Sequence, residues 1–225
     1  MGNMQKGKLI VLEGIDGSGK STQARLLADR MRKEGIPFYV TMEPTDSPIG
    51  SMIRQVLTGR MQADPRVIAA LFVADRLDHL LNEVNGIAGM AEKGTCVIMD
   101  RYYFSSYAYQ SVDVPLDWLI QANTLSSGIL RPAVNLFIDV SPDVAMERIE
   151  QNRFAKELFE ERDRLAQVRG NYLEAFDKLK STERVAVIDG NRSVEAVAQD
   201  IWDTVKGYLR QPAGGTAIGL QTKKE

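Results

Sequence analysis

Three features of the 225-residue sequence predict an α/β fold in three layers, with a five-stranded parallel sheet between helices on both faces. Apolar runs of strand character alternate with helical patterns along almost the whole chain, which is the signature of successive βαβ units. The run Thr95-Cys96-Val97-Ile98-Met99 is almost continuously apolar, as a central parallel strand buried on both faces must be. Near the N-terminus, Leu9-Ile10-Val11-Leu12-Glu13 leads into Gly14-Ile15-Asp16-Gly17-Ser18-Gly19-Lys20-Ser21-Thr22 and then into a helix through Arg32. That segment has the spacing G-x-x-x-x-G-K-S in the strand–turn–helix setting its chemistry requires.

The remaining elements follow in order. Gly35 stops the first helix, and residues 36–42 read as the second strand. Prolines and small polar residues make 43–48 a loop, and a short helix is expected over 49–57. A long helical pattern starts at Asp64-Pro65, with proline in the first turn, and runs towards Lys93, where Gly86 and Gly89 loosen its end. The third strand, 95–99, ends at Asp100-Arg101-Tyr102. Helices are expected over 104–110 and 115–125, and a fourth strand over 133–140. Ser141-Pro142-Asp143 caps the next helix; the sequence turns highly charged around 152–161 and is helical again through Tyr172 and Leu179. A fifth strand spans 184–188 and a final helix runs from Ser193 to about Leu209. Residues 1–210 are expected to form one domain with a short lid over about 150–161. The small-residue, Lys-Lys-Glu-ending segment 211–225 is expected to be a disordered tail.

The length suits a single domain with a substantial core. An apolar content of 44% with 26% charged residues is that of a soluble globular protein. A net charge of −2 gives no bulk reason to expect nucleic-acid or membrane binding. One cysteine, Cys96 in the third strand, excludes an internal disulfide or cysteine zinc cluster and reads as a buried thiol. With one histidine, His79, read as a helix-surface residue, no histidine metal site or catalytic triad can be built. No signal peptide and no apolar run long enough for a bilayer are seen, so the cytoplasm is the expected compartment.

Chemistry is expected at the carboxyl ends of the strands, where ligands of open α/β sheets gather. The glycines of residues 14–19 let consecutive N–H groups point at a phosphate, and the following helix adds its positive end. Lys20 would then reach β- and γ-phosphates, and the Ser21 hydroxyl would ligate Mg²⁺. Asp100 can hold the metal through water, and the Arg101 guanidinium can bind a second substrate's phosphate with two bonds. Phe72 and Arg76, four apart on one helix face, can stack on a planar base and bond its edge; alone, such a pair also reads as core plus an arginine whose stem is buried. The cations Arg148, Arg153, Lys156, Arg162, Arg164 and Arg169 read either as a solvated helix face or as a lid over the transferring phosphoryl group.

Together these stretches resemble the thymidylate kinase family of P-loop nucleoside monophosphate kinases. The resemblance rests on residues 12–23, Glu43-Pro44, Leu71-Phe72-Val73-Ala74-Asp75-Arg76, Asp100-Arg101-Tyr102 with Ser105-Ser106 and Ala108-Tyr109-Gln110, and Val168-Arg169 with Tyr172. It implies the three-layer P-loop kinase fold, with ATP and dTMP as substrates, Mg²⁺ as cofactor, and a homodimer. By position it implies ATP contacts from residues 14–22 and Asn191, with Asp16 between the two phosphates. Phe72 would stack on thymine and Arg76 would read its edge, while Arg54 and Arg101 would hold the dTMP phosphate. Glu43, Pro44, Ser105, Ser106, Tyr109 and Gln110 would line the nucleoside pocket, with Tyr109 near the sugar and Glu160 near the sugar or metal. Gly17 stands where some members carry a P-loop arginine, so the resemblance implies a lid arginine instead, Arg153 first and Lys156 as its helper. A kinase for another nucleotide and a P-loop regulatory NTPase are the competing readings; the latter leaves Phe72, Arg101 and the lid without a task.

Overall fold

A computed structural model describes residues 6–150 and 158–209, without the side chains of 150 and 158–161. The lid cations Arg153 and Lys156, the Glu160 side chain and the expected tail all lie outside this description. Five strands, β1 (Leu9–Glu13), β2 (Phe38–Met42), β3 (Cys96–Asp100), β4 (Val134–Asp139) and β5 (Val185–Asp189), form one sheet in the order β2-β3-β1-β4-β5. All four pairings are parallel. The expected sheet, with its all-parallel strands, is therefore present, each strand within a residue or two of its predicted bounds.

Alternation along the strands divides the core, because successive side chains leave opposite faces. Leu9 and Val11 join Val97, Met99 and Phe137 on one face. Helices α3 (Pro65–Leu81), α4 (Ile87–Glu92), α5 (Tyr103–Tyr109), α6 (Leu116–Ala122), α8 (Pro142–Glu150) and α9 (Leu158–Leu179) contribute to that cluster. Ile10 and Leu12 join Ile98, Leu136 and Ile138 on the other, beneath α1 (Lys20–Lys33) and α10 (Val194–Leu209). Helix α2 (Pro48–Leu57) packs beside α3. Cys96 is a buried thiol raised by burial, as expected of a structural cysteine.

Two helix boundaries differ from the sequence reading. The pattern read as one helix from 64 towards 93 stops at Leu81, and the Asn82 Oδ1 accepts from Val84 N–H at 3.0 Å, turning the chain before α4 begins. The helix read over 115–125 is broken at Asn123, between α6 and α7 (Thr124–Ile129). In both places an Asn competes with the helical ladder through its side chain.

β1 is the middle strand. The chain leaves it for β2 and β3 on one side and later crosses to β4 and β5 on the other. The loop after β1 therefore opens at the sheet's topological switch point, where a ligand crevice is built into this architecture.

Candidate active site

The loop between β1 and α1 keeps its shape through backbone freedom. Gly17 has φ +76, and a Cβ there would lie 2.4 Å from the Ala145 carbonyl oxygen of α8. Gly19, the N-cap of α1, has φ +92 and supplies no side-chain cap, so the first amides of the helix stay available to an anion. Lys20 lies folded into the loop, its Nζ donating to the carbonyl oxygens of Gly14 at 2.9 Å and Ile15 at 2.8 Å. Burial, assisted by Arg101, pushes its pKa down to about 8 against the opposing pull of nearby carboxylates.

The end of β3 meets this loop from the side. Ser21 Oγ donates to Asp100 Oδ2 at 2.6 Å, while Asp100 Oδ1 is buried with no hydrogen-bond partner among the described residues. An all-oxygen pair with one orphaned carboxylate oxygen suits a hard divalent cation that takes its other ligands from phosphates and water. Among the described residues no group of three or more His, Cys, Asp or Glu side chains could hold a metal alone.

Arg101 adopts the left-handed conformation, φ 72, which a non-glycine residue takes at a cost of roughly 1–2 kcal/mol. Two bonds hold it there: its own N–H donates to Leu12 O at 3.0 Å, and the next N–H, of Tyr102, donates to Glu13 Oε1 at 2.9 Å. The turn sends the guanidinium back over the loop. Its Nη2 lies 2.5 Å from Asp16 Oδ1, its Nη1 reaches Ser105 Oγ at 3.3 Å, and its plane covers the Tyr109 ring at 4.9 Å. Tyr109 OH accepts from Asp16 N–H at 3.0 Å and from Arg101 Nη2 at 3.4 Å. Burial pushes that phenol up to about 12, so it keeps its proton at neutral pH.

Glu13, fully buried beneath this cluster, was not singled out in the sequence. Its Oε2 accepts from Ser105 Oγ at 2.6 Å and from Tyr172 OH of α9 at 3.0 Å. Burial raises its pKa to about 7, against the opposing effect of these bonds and of Arg101.

A second polar cluster lies beside the first. Arg76, 1% exposed, donates from Nε to Glu43 Oε2 at 2.9 Å, from Nη1 to Asn123 Oδ1 at 2.5 Å and from Nη2 to Ser106 Oγ at 3.1 Å. The sequence reading of His79 as a surface residue is corrected here. Its ring lies against Thr41 Oγ1 at 2.8 Å and Glu43 Oε1 at 3.3 Å, with the side chain 8% exposed, because α3 packs the face bearing Arg76 and His79 towards β2. Asp75, also fully buried, fixes the loop before α2 by accepting from Thr45 N–H, Thr45 Oγ1 and Ser47 Oγ. Arg54 is tied to that loop through Pro44 O and Asp46. Phe72 is half-buried one turn before Arg76, and Gln110 Oε1 is buried with no partner among the described residues.

A cleft of about 400 Å³ is lined by Asp16, Gly17 and Gly19 to Thr22 of the loop, by Asp100 and Arg101, and by Met42 and Glu43; Phe72 and Arg76 do not line it. Asn191 does not line it. Its side chain accepts from Ser141 N–H and donates to Asp189, closing the turn after β5. Of the outer cations, Arg162 pairs with Asp143 and Arg169 pairs bidentately with Asp139 at 2.6 and 2.8 Å.

A parallel sheet carrying a G-x-x-x-x-G-K-S loop at its switch point, faced by an acid with an unpartnered buried oxygen and by an arginine, has the architecture of a P-loop nucleotide kinase. A sequence model of the family described as thymidylate kinase matches residues 12–201. A thymidylate kinase of Symbiobacterium thermophilum is 37% identical over 204 residues, covering 89% of this chain and 93% of the relative. Probable thymidylate kinases of Pyrococcus horikoshii (35% over 210 residues, 91% and 98% covered) and Caldivirga maquilingensis (38% over 194 residues, 84% and 89% covered) are similar too. The chain belongs to the thymidylate kinase family.

Proposed function

We propose that this enzyme transfers the γ-phosphoryl group of ATP to dTMP, giving dTDP and ADP for dTTP synthesis. The observation that carries the reading is the Asp16–Arg101 contact at 2.5 Å, which sets an anion-binding guanidinium directly against the phosphate loop. A switch protein has no use for an arginine held there at the cost of a left-handed backbone. The acceptor phosphate is itself an anion, so the reaction needs alignment and charge neutralisation rather than a strong base.

In this reading the amides of residues 14–22 cradle the donor phosphates and Lys20 leaves its carbonyl partners for the β- and γ-oxygens. Ser21 and Asp100 would hold Mg²⁺, which would neutralise charge on the donor phosphates. Arg101, with Arg54 as its helper, holds the dTMP phosphate, displacing Asp16, which then lies between the two substrates. Phe72 stacks on thymine and Arg76 reads its edge. Glu43 and Ser106 act on the nucleoside pocket by holding Arg76, and Ser105 acts through Arg101. Pro44, Tyr109 and Gln110 line the pocket, the latter two supported by a retained phenol proton and an unpartnered buried carbonyl. Asn191 closes a turn beside the donor site.

Arg153 supplies the lid cation that Gly17 cannot, and lid closure excludes water. Arg153→Ala is expected to lower turnover at least about tenfold; a near-native turnover would transfer the role to Lys156. The molecule works as a homodimer in the cytoplasm, as one domain over 1–210. Supporting a dimer, Met52, Leu57, Val67 and Leu81 stay exposed on α2 and α3. No helix of the described residues is long and apolar enough to cross a membrane.

The test is a coupled ADP assay with dTMP, dUMP, UMP, CMP and thymidine as acceptors. dTMP is expected to be the best of them. If UMP or thymidine were preferred the proposal fails, and ADP formation independent of any acceptor would favour a regulatory NTPase.

A further inference from the structure

Arg76 is a cation almost wholly removed from water, and burying such a group is costly unless fixed acceptors surround it. Glu43 supplies one, through a hydrogen bond from Nε at 2.9 Å and a second approach to Nη2 at 2.7 Å. Ser106 supplies another to Nη2. Among the described residues the third nitrogen, Nη1, is held by Asn123 alone. A guanidinium carries five N–H groups, two of them on Nη1. One Nη1 N–H therefore has no acceptor among the described residues, and because the guanidinium is planar its direction is set by the contacts that hold the plane, with Asn123 fixing the Nη1 end.

Asn123 is built for that task. It is fully buried, and its own Nδ2 donates to Leu119 O at 2.8 Å. That bond decides which way round the amide sits, so the oxygen faces Arg76. The residue occupies the break between α6 and α7, a point 47 residues along the chain from its partner. As a neutral acceptor it orients the guanidinium without adding a second negative charge beside Glu43.

We infer that Asn123 is a specificity-determining positioning residue: it fixes the Arg76 guanidinium so that its remaining Nη1 N–H is presented to an acceptor pyrimidine as a donor of one direction. This rests on the proposal that Arg76 reads the base edge. A fixed donor matches the 4-oxo group of thymine or uracil and opposes the 4-amino group of cytosine, which is itself a donor. A site built around a hydrogen bond rejects the analogue that cannot make it far more strongly than an apolar pocket rejects a change of size. The discrimination depends on the guanidinium being unable to rotate away.

The experiment compares kcat/KM for dTMP and dCMP in the wild type, Asn123→Ala, Asn123→Asp and Arg76→Lys, with thermal melts to establish that each variant is folded. Asn123→Ala is expected to lower the dTMP-to-dCMP ratio by about tenfold or more, chiefly through KM for dTMP, with KM for ATP unchanged. Asn123→Asp keeps an oxygen acceptor for Nη1 and is expected to recover part of the ratio; it also carries the test if the alanine variant does not fold. If Arg76→Lys collapses the ratio while both Asn123 variants keep it at the wild-type value, Asn123 only holds α6 to α7 and the inference is wrong. If Arg76→Lys itself leaves the ratio intact, base reading by Arg76 fails and takes the inference with it.

Discussion

Two buried ionisable residues at the loop have opposite chemistry and give separate predictions. Glu13 has its pKa raised from 4.5 to about 7, burial being the leading cause. The folded state then holds this proton up to about pH 7, whereas the unfolded chain releases it near 4.5. Between those values the folded state binds more protons, so stability falls as pH rises through the window, by up to ~3 kcal/mol from this one residue. Glu13→Gln should flatten that part of the urea-midpoint profile between pH 4.5 and 7; a variant with the wild-type slope would show that Glu13 is not the titrating group. Lys20 moves the other way, down to about 8. A bound polyphosphate restores its preference for the charged form, so ATP binding at pH 8 should take up roughly half a proton there. Titration calorimetry in two buffers of different ionisation enthalpy measures this uptake, which should vanish by pH 6.5. Lys20 and Arg101 could be found in the sequence because a motif or a strand end announces them. Glu13 could not, since an acid at the end of an apolar strand reads as its polar terminus, and only α9 folding back shows that Tyr172 buries it.

At the scale of elements, the strands were readable almost to the residue because burial on both faces writes continuous apolar runs into β1, β3 and β4. Helix breaks were less visible. An Asn inside a helical pattern carries too weak a local penalty to be read as an end, yet Asn82 and Asn123 both act as one. The approach of α8 to the phosphate loop was invisible, because the sequence cannot say what stands opposite Gly17. The contact gives Gly17 a physical reason: its φ of +76 and the Ala145 carbonyl at 2.4 Å from any Cβ leave no room for a side chain. Gly17→Arg, which would install a loop arginine, should therefore displace α8 rather than add a catalytic cation. Combining the left-handed strain with the steric conflict, we expect a loss of at least ~2 kcal/mol, a fall in Tm of about 4–8 °C for a chain of this size. A folded Gly17→Arg variant with an unchanged Tm and higher turnover would contradict this account.

At the scale of the whole molecule, one short bridge from Asp16 on the β1 loop to Arg101 after β3 joins the proposed donor and acceptor sites. What the residues alone showed of this site, before any resemblance, lies mostly at the ends of strands or on the α3 face of Phe72 and Arg76, where local order is enough to group residues. What it could not show are bonds between distant elements: Thr41 to His79, Thr45 to Asp75, Arg76 to Asn123. Those bonds exist only because the sheet order brings β2 beside β3 and α3 lies against the α6–α7 break. They tie the side chains on the acceptor side to one another across those elements. Each substrate should therefore stabilise the enzyme through its own half. A ligand at about a hundred times its Kd contributes roughly 2.7 kcal/mol to the folded state, a rise of about 5–11 °C in Tm here. In Arg101→Ala the shift produced by dTMP should be mostly lost while that of ATP with Mg²⁺ persists. Lys20→Ala should show the converse. Equal loss of both shifts in Arg101→Ala would mean that the bridge, and not the clamp on the acceptor phosphate, is what Arg101 provides, since breaking it would then disorder the phosphate loop as well.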